Sequence, residues 1–338
     1  MNNGTIRVGI IGCGMITQRS QAPGLAKVEG MEIAAVCDTN ADNRAKVREE
    51  HAPDATEFDD YHKMLGAGLV DAVSVATPVF LHCPMTVAAL EAGCHVLCEK
   101  PMAMSAEESG RMVEAAATAG KVLQINLSRR YKPFFQGLAK LVHEERIGAP
   151  RHLRAIRVHA NAPDRGWSPG ANWFVTKASG GGIVGDIGVH VGDMMQWFFG
   201  EIESVRALTD SRREDIDAVD NAAVLFRFRN GATGMLELSW TSPANHMSLE
   251  IHGSDAMILA GATAKDGVKI VGKDKKTEEL TEAELSAPAR NSFECFADAI
   301  RGVAPSPAPG EVGHAIQRVI DAIHESGEKQ GAPVEIGG

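Results

Sequence analysis

Over the first 125 residues, short apolar runs alternate with stretches of helical periodicity. The runs "TIRVGII" (5–11), "EIAAVCD" (32–38), "VDAVSVATP" (70–78), "HVLCEK" (95–100) and "KVLQIN" (121–126) are almost continuously apolar. That is the pattern of strands buried on both faces of a parallel sheet. Helical stretches at 41–50, 82–92 and 105–119 fall between them, and Ser105 with Glu108 forms a capping box at the start of the third. A repeated βαβ pattern predicts an open, doubly wound sheet over residues 1–126.

The pattern changes after that point. "RHLRAIRVHA" (151–160), "DNAAVLFRFRN" (220–230), "ATGMLELSWT" (232–241), "HMSLEIHG" (246–253) and "AMILAG" (256–261) read as strands with little helix between them. Asn230-Gly231 predicts a hairpin turn, both residues being able to take positive φ. Val224, Phe226 and Phe228 alternate with Leu225, Arg227 and Arg229 before it; Leu236, Leu238 and Trp240 alternate with Glu237 and Ser239 after it. One face is apolar and the other largely polar, as in an antiparallel sheet covered on one side. The open face is either solvated or a subunit interface. A long helical segment is expected at 183–199, with two more near 291–302 and 311–326. The second domain, 127–338, thus carries C-terminal helices (about 291–326) that can pack back on the first.

A length of 338 residues fits two domains. A net charge of −10 argues against nucleic acid or an anionic membrane surface as partner, since both need basic patches. No apolar run approaches the length of a membrane span, and the N-terminus enters a strand without a charged leader. Of six cysteines, five lie in or beside apolar runs and none begins a metal-ligand pattern, so reduced thiols in a cytoplasmic protein without a bound metal are expected.

"VGIIGCGMIT" places Gly12, Gly14 and Thr17 at G-x-G-x-x-G/A spacing between the first strand and a helix. Gly12 allows the tight turn. Gly14, with Met15 and Ile16 opening the helix, lets backbone approach a pyrophosphate. Thr17 replaces the usual third glycine or alanine and puts close helix–strand packing in question. Asp38 ends the second strand, where a carboxylate accepts ribose hydroxyls and repels a 2′-phosphate, so NAD is expected over NADP. Thr77, Pro78 and His82 follow another strand end and are expected at the cofactor; His82 fits a helix-start surface residue about as well.

Glu99, Lys100 and Pro101 also leave a strand's carboxyl end. A lysine there could stabilise developing negative charge on a substrate oxygen. Taken alone, it fits a solvated strand end at least as well. In "GGGIVGDIGVHVGDMMQWFFG" (180–200), Asp186 and His190 are four apart and share a helix face. An imidazole there suits a general base, which Asp186 or its rival Asp193 could orient. The glycines of this stretch are costly in a helix, which makes sense if backbone must approach a ligand.

The N-terminal glycine fingerprint, "TPVFLH", "EAGCHVLCEKPMA", "SGGGIVGDIGVHVGD" and "FECFADAIRG" occur in order, and with them the chain resembles the Gfo/Idh/MocA family. The resemblance implies an α/β fold: an N-terminal Rossmann doubly wound parallel sheet, then an α/β domain with an open, mostly antiparallel sheet. It implies that Lys100 contacts substrate hydroxyl and cofactor, His190 is the catalytic acid/base and Asp186 helps bind substrate and position the histidine. The expected activity is NAD-dependent oxidation of a secondary alcohol of a sugar, sugar derivative or cyclitol. Glu99 and Lys100 join the residues expected near the cofactor. Arg129, Arg130, Tyr131, Asn161, Asp164, Trp167, Asn172 and Trp173 lie in loops suited to a polyol, though Arg130 also fits a solvated side chain. Many relatives oligomerise through the open sheet, so a homodimer or homotetramer is expected. A sugar-modifying enzyme that oxidises transiently with retained NAD (a glycosidase, eliminase or epimerase) would use the same residues, and a ligand-sensing regulator is a third possibility.

Overall fold

The computed structural model describes residues 4–285 and 290–337. The described residues form two compact units: 4–127 with 290–317, and 128–285 with 318–337.

The first unit is built on strands β1 (Ile6–Ile11), β2 (Met31–Cys37), β3 (Thr56–Phe58), β4 (Ala72–Val75), β5 (His95–Cys98) and β6 (Leu123–Ile125), in the order β3-β2-β1-β4-β5-β6. All neighbours run parallel. The order reverses beside β1, and ligands of such sheets bind outside the carboxyl ends of the strands at that reversal. The helices Ala41–His51, His82–Glu91 and Ala106–Ala119 connect the strands; Ser105 Oγ accepts the Glu108 N–H, and Met104 N–H donates to the Glu108 carboxylate. The helix Ser292–Ile300 belongs to this unit, with Phe293 and Phe296 in the same core as Val8, Ile10 and Leu25. Burying a phenylalanine such as Phe296 stabilises by about 1.5–3 kcal/mol.

Among the described residues, the second unit holds nine strands: β7 (Pro150–Val158), β8 (Ile202–Asp210), β9 (Asn221–Phe228), β10 (Thr233–Ser239), β11 (His246–Gly253), β12 (Ala256–Ala260), β13 (Val268–Gly272), β14 (Thr277–Leu280) and β15 (Val334–Glu335). Their order is β14-β13-β12-β11-β7-β10-β9-β8-β15, antiparallel throughout except for β7 beside β10. The inner positions of β9 and β10 (Val224, Phe226, Phe228, Leu236, Leu238) are buried. In the hairpin between them, only Gly231 takes positive φ (85°). Asn230 instead donates from Nδ2 to Phe199 O at 2.8 Å and accepts the Ala232 N–H at 3.0 Å. The loop is therefore a three-residue turn closed by a left-handed glycine, not the two-residue turn with two positive φ values.

Candidate active site

The first group of candidate residues lies in the first unit, at the carboxyl ends of β1, β2, β4 and β5. Gly12 has φ 95°, and a Cβ there would stand 2.5 Å from Ala76 O, so only glycine fits. Above Gly14 a Cβ would meet nothing within 4 Å, which leaves its backbone open to a ligand. Thr17 is fully buried and donates from Oγ1 to Gly12 O at 2.5 Å. The third fingerprint position thus packs closely despite its extra atoms, because the helix widens into a π turn over Thr17–Gln21 and the hydroxyl finds an acceptor. Met15 and Ile16 form the turn of helix just before it.

Asp38 Oδ2 accepts the Cys13 N–H at 2.7 Å and Oδ1 accepts the Asn40 N–H at 2.8 Å. The carboxylate is fixed against the glycine turn, and each oxygen keeps a lone pair for a ribose hydroxyl. Arg44 is spent within the fold: Nη1 donates to Asp38 O at 2.6 Å and Nε to Glu57 at 3.2 Å. The residues present therefore fit NAD. NAD⁺ is expected to give a far higher kcat/KM than NADP⁺, and Asp38→Ser with Thr39→Arg is expected to shift preference toward NADP⁺. Equal kcat/KM values for the wild-type chain would overturn this reading of Asp38.

Thr77 and Pro78 are half-buried at the end of β4. His82 lies behind them and is 1% exposed. Its Nδ1 is 2.9 Å from Pro101 O and its Nε2 is 2.8 Å from Thr77 O. Both nitrogens are engaged by backbone, so the ring ties two strand-end loops together and does not itself reach for a cofactor. Burial pushes the imidazole's pKa down, against the two carbonyls and Glu99, which favour the charged form.

Glu99 is likewise turned inward, at 7% exposure. Its Oε1 accepts from Gln21 Nε2 and, at 2.7 Å, from Asn126 Nδ2. Gln21 Oε1 accepts from Ser74 Oγ at 2.9 Å, and Asn126 Oδ1 from Ser292 Oγ at 2.8 Å. This buried polar chain spans the glycine-loop helix, β4, β6 and the helix Ser292–Ile300. Its satisfied donors and acceptors rigidify the strand end that presents Lys100. Lys100 donates its backbone N–H to Glu99 Oε2 at 3.3 Å, and the Lys100–Pro101 peptide is cis. Gln21, Ser74 and Asn126 are supports of this strand end that sequence reasoning missed.

The second group lies in the second unit. Asp186 falls in a π turn, Val184–Gly188, that runs directly into the helix Val189–Phe199 carrying His190. Asp186 is 7% exposed and His190 half-buried. Asp193 is paired with Arg130, which donates to both of its oxygens, at 3.0 and 2.8 Å, in a pair that is 12% and 2% exposed at the side chains. Gly181 and Gly188 of this stretch are required by protein packing. A Cβ at Gly181 would meet the carbonyls of Trp173 and Phe174 at 2.6 Å, and one at Gly188 would meet Leu238 at 3.1 Å.

Tyr131 is buried with the core at 6% exposure, and Arg129 is half-buried with its guanidinium 5.1 Å over Phe135. Asn161, Trp167, Asn172 and Trp173 are exposed in the loop after β7, where both tryptophans pack on Phe174. Asp164, in the same loop, is taken by Arg213 through two bonds of 2.9 and 2.8 Å, which removes it from the polyol-binding set.

Residues 6–127 match the family described as "Oxidoreductase family, NAD-binding Rossmann fold", and residues 135–259 match "GFO/IDH/MocA C-terminal domain". The chain belongs to the Gfo/Idh/MocA family. It is an NAD-binding oxidoreductase. It is 29% identical to D-glucoside 3-dehydrogenase of Escherichia coli (strain K12) over 99% of both chains. It is 28% identical to 1,5-anhydro-D-fructose reductase of Ensifer adhaerens, covering 98% of this chain and 99% of that one. Among solved structures, the WlbA dehydrogenase of Bordetella pertussis in complex with NADH and UDP-GlcNAcA superposes with a TM-score of 0.86 at 25% identity, over 98% of both chains. No helix among the described residues is long and apolar enough to cross a membrane.

Proposed function

We propose that this family member oxidises a secondary alcohol of a sugar, sugar derivative or cyclitol, with Lys100, His190 and Asp186 at the reacting centre. The observation that carries the reading is buried Asp186 standing four residues before half-buried His190, where a π turn runs into a helix, while the competing carboxylate Asp193 is paired with Arg130. NAD, held by the Gly12–Ile16 turn and Asp38, supplies the hydride acceptor when bound. His190 takes the hydroxyl proton on its imidazole, and Asp186 favours the imidazolium that results. The Lys100 ammonium donates to the same oxygen and stabilises the negative charge that grows there. Asn161, Asn172 and the exposed faces of Trp167 and Trp173 supply hydrogen bonds and stacking for a sugar ring. The names of two relatives, a glucoside dehydrogenase and an anhydrofructose reductase, support the substrate class.

The test is a screen for NAD⁺ reduction over aldoses, inositols, uronates, amino sugars and glycosides. Steady NADH release with at least one free polyol is expected. Glycoside cleavage or epimerisation without NADH release would overturn net oxidation in favour of retained cofactor.

We infer also that copies associate through the outer face of the nine-stranded sheet. Leu208 on β8 and Leu225 on β9 are 64% and 53% exposed there, beside Ala223. Light scattering should give a dimer or tetramer mass, reduced by Leu208→Asp with Leu225→Asp. A wild-type monomer would refute the interface.

A further inference from the structure

Four groups able to carry positive charge, Arg157, Arg129, Lys132 and His159, lie close enough in the second unit to feel one another, and the proposed reaction employs none of them as acid, base or hydride partner. Arg157 sits on β7 at an inward position, in step with buried Leu153 and Ala155. Its register partner on β10 is Leu238, the residue against which Gly188 packs. Arg157 is thereby placed under the segment that carries Asp186 and His190. Its Nε is shielded from solvent and has no hydrogen-bond partner among the described residues.

The Arg129 guanidinium lies over the Phe135 ring, with Met194 Sδ 3.9 Å from Nη1. The carboxylate of Asp193, close enough to be felt, is taken by Arg130. Burial and Arg157 push Arg129 down to about 9. Lys132 is lowered by burial, Arg129 and Arg157 together. His159, one residue past β7, has a shielded Nε2 without a partner. Burial and Arg157 lower it, while Asp186 opposes them.

Like charges crowded in a partly desolvated place are unfavourable unless an anion joins them. A neutral polyol offers no such charge, whereas a carboxylate matches the paired in-plane donors of a guanidinium. Building on the polyol dehydrogenase reading, we propose that the substrate is a sugar acid whose carboxylate is received by Arg157 and Arg129. Lys132 and His159 add field beside them, and the hydroxyl to be oxidised lies elsewhere on the same molecule. The overall charge of −10 makes a local cluster of this sign the more specific.

The experiment is titration of the NAD⁺-loaded full chain by calorimetry with D-gluconate and D-glucuronate, against D-glucose, myo-inositol and D-glucose 6-phosphate. Sugar acids should bind about 10–100-fold more tightly than their neutral counterparts, the range that charge-assisted hydrogen bonds supply. Arg157→Gln should collapse that acid-to-neutral ratio toward one, and Arg157→Lys should restore part of it, which guards against a variant that merely unfolds. The proposal is overturned if neutral polyols bind as well as the acids, if the phosphate ester is preferred, or if the ratio survives Arg157→Gln. Arg157-dependent binding of sugar acids with no NADH release would keep the anion site and overturn the dehydrogenase reading. NADH release from neutral sugars, with a ratio indifferent to Arg157, would do the reverse.

Discussion

Replacing His190 with alanine is expected to lower kcat by about 10²–10⁴-fold, the usual worth of a positioned acid/base. Affinity for NAD⁺ should stay near that of the wild type, because the glycine turn and Asp38 belong to the first unit and are built without residue 190. The split between kcat and cofactor affinity is what distinguishes loss of a base from loss of fold. The pH profile gives a second readout. A general base must be neutral to accept a proton, so wild-type oxidation should rise through the titration range of an imidazole, and the alanine variant should lose that limb. Asp186→Asn should depress kcat less than His190→Ala and leave the limb in place, since the amide still orients the ring but no longer favours its charged form. Turnover within a few-fold of wild type would remove His190 from the role of base.

The residues proposed to carry this chemistry could be picked out because each stands in a local pattern. Gly12 and Gly14 have fixed spacing, Asp38 ends a strand, Lys100 follows one, and Asp186 and His190 are four apart on a helix. The supports were not legible, because their partners are distant along the chain. Glu99 meets Gln21 across 78 positions, and Arg130 meets Asp193 across 63. Nothing near Gln21 marks it as the donor to a buried carboxylate; only the fold brings the two together. His82 shows the converse. Its type and place suggested a contact with ligand, yet the buried ring has a backbone carbonyl at each nitrogen, and the nitrogen that carries the proton donates to one of them.

The same division runs through the fold. Strands buried on both faces announce themselves as apolar runs, and β1, β2, β4, β5 and β6 fall where the pattern put them. The edge strands do not. β14 reads "TEEL" and is exposed for three of its four residues, and β3 is a three-residue edge. Such segments form through ladder hydrogen bonds with little side-chain burial, so hydrophobic periodicity carries no trace of them. β8 escaped for another reason. Leu208 on its outer face breaks the alternation that Val205 and Ala207 begin on the inner one. A leucine that the chain leaves exposed on a sheet face is a cost in water, and association of the kind proposed for that face removes it.

Lys100→Ala is expected to cost about 10²–10³-fold in kcat, the effect of removing one preorganised donor from a developing oxyanion. The clamp around residue 100 is what gives this test its meaning. Glu99 is fixed by Gln21 and Asn126, its Oε2 accepts the Lys100 N–H, and His82 holds the Pro101 carbonyl. None of these bonds uses the lysine side chain. Truncating it should therefore leave thermal stability and NAD⁺ affinity close to wild type while turnover falls. Lys100→Arg should not restore the rate. A guanidinium is larger and planar, spreads its charge over a fork, and cannot place a compact ammonium on one oxygen. Fluorescence titration with NAD⁺ and kcat on the best polyol, measured on both variants, decide the matter. A Lys100→Ala enzyme with near-normal kcat would make this lysine a solvated strand end, and the developing alkoxide would then have to find its positive charge elsewhere.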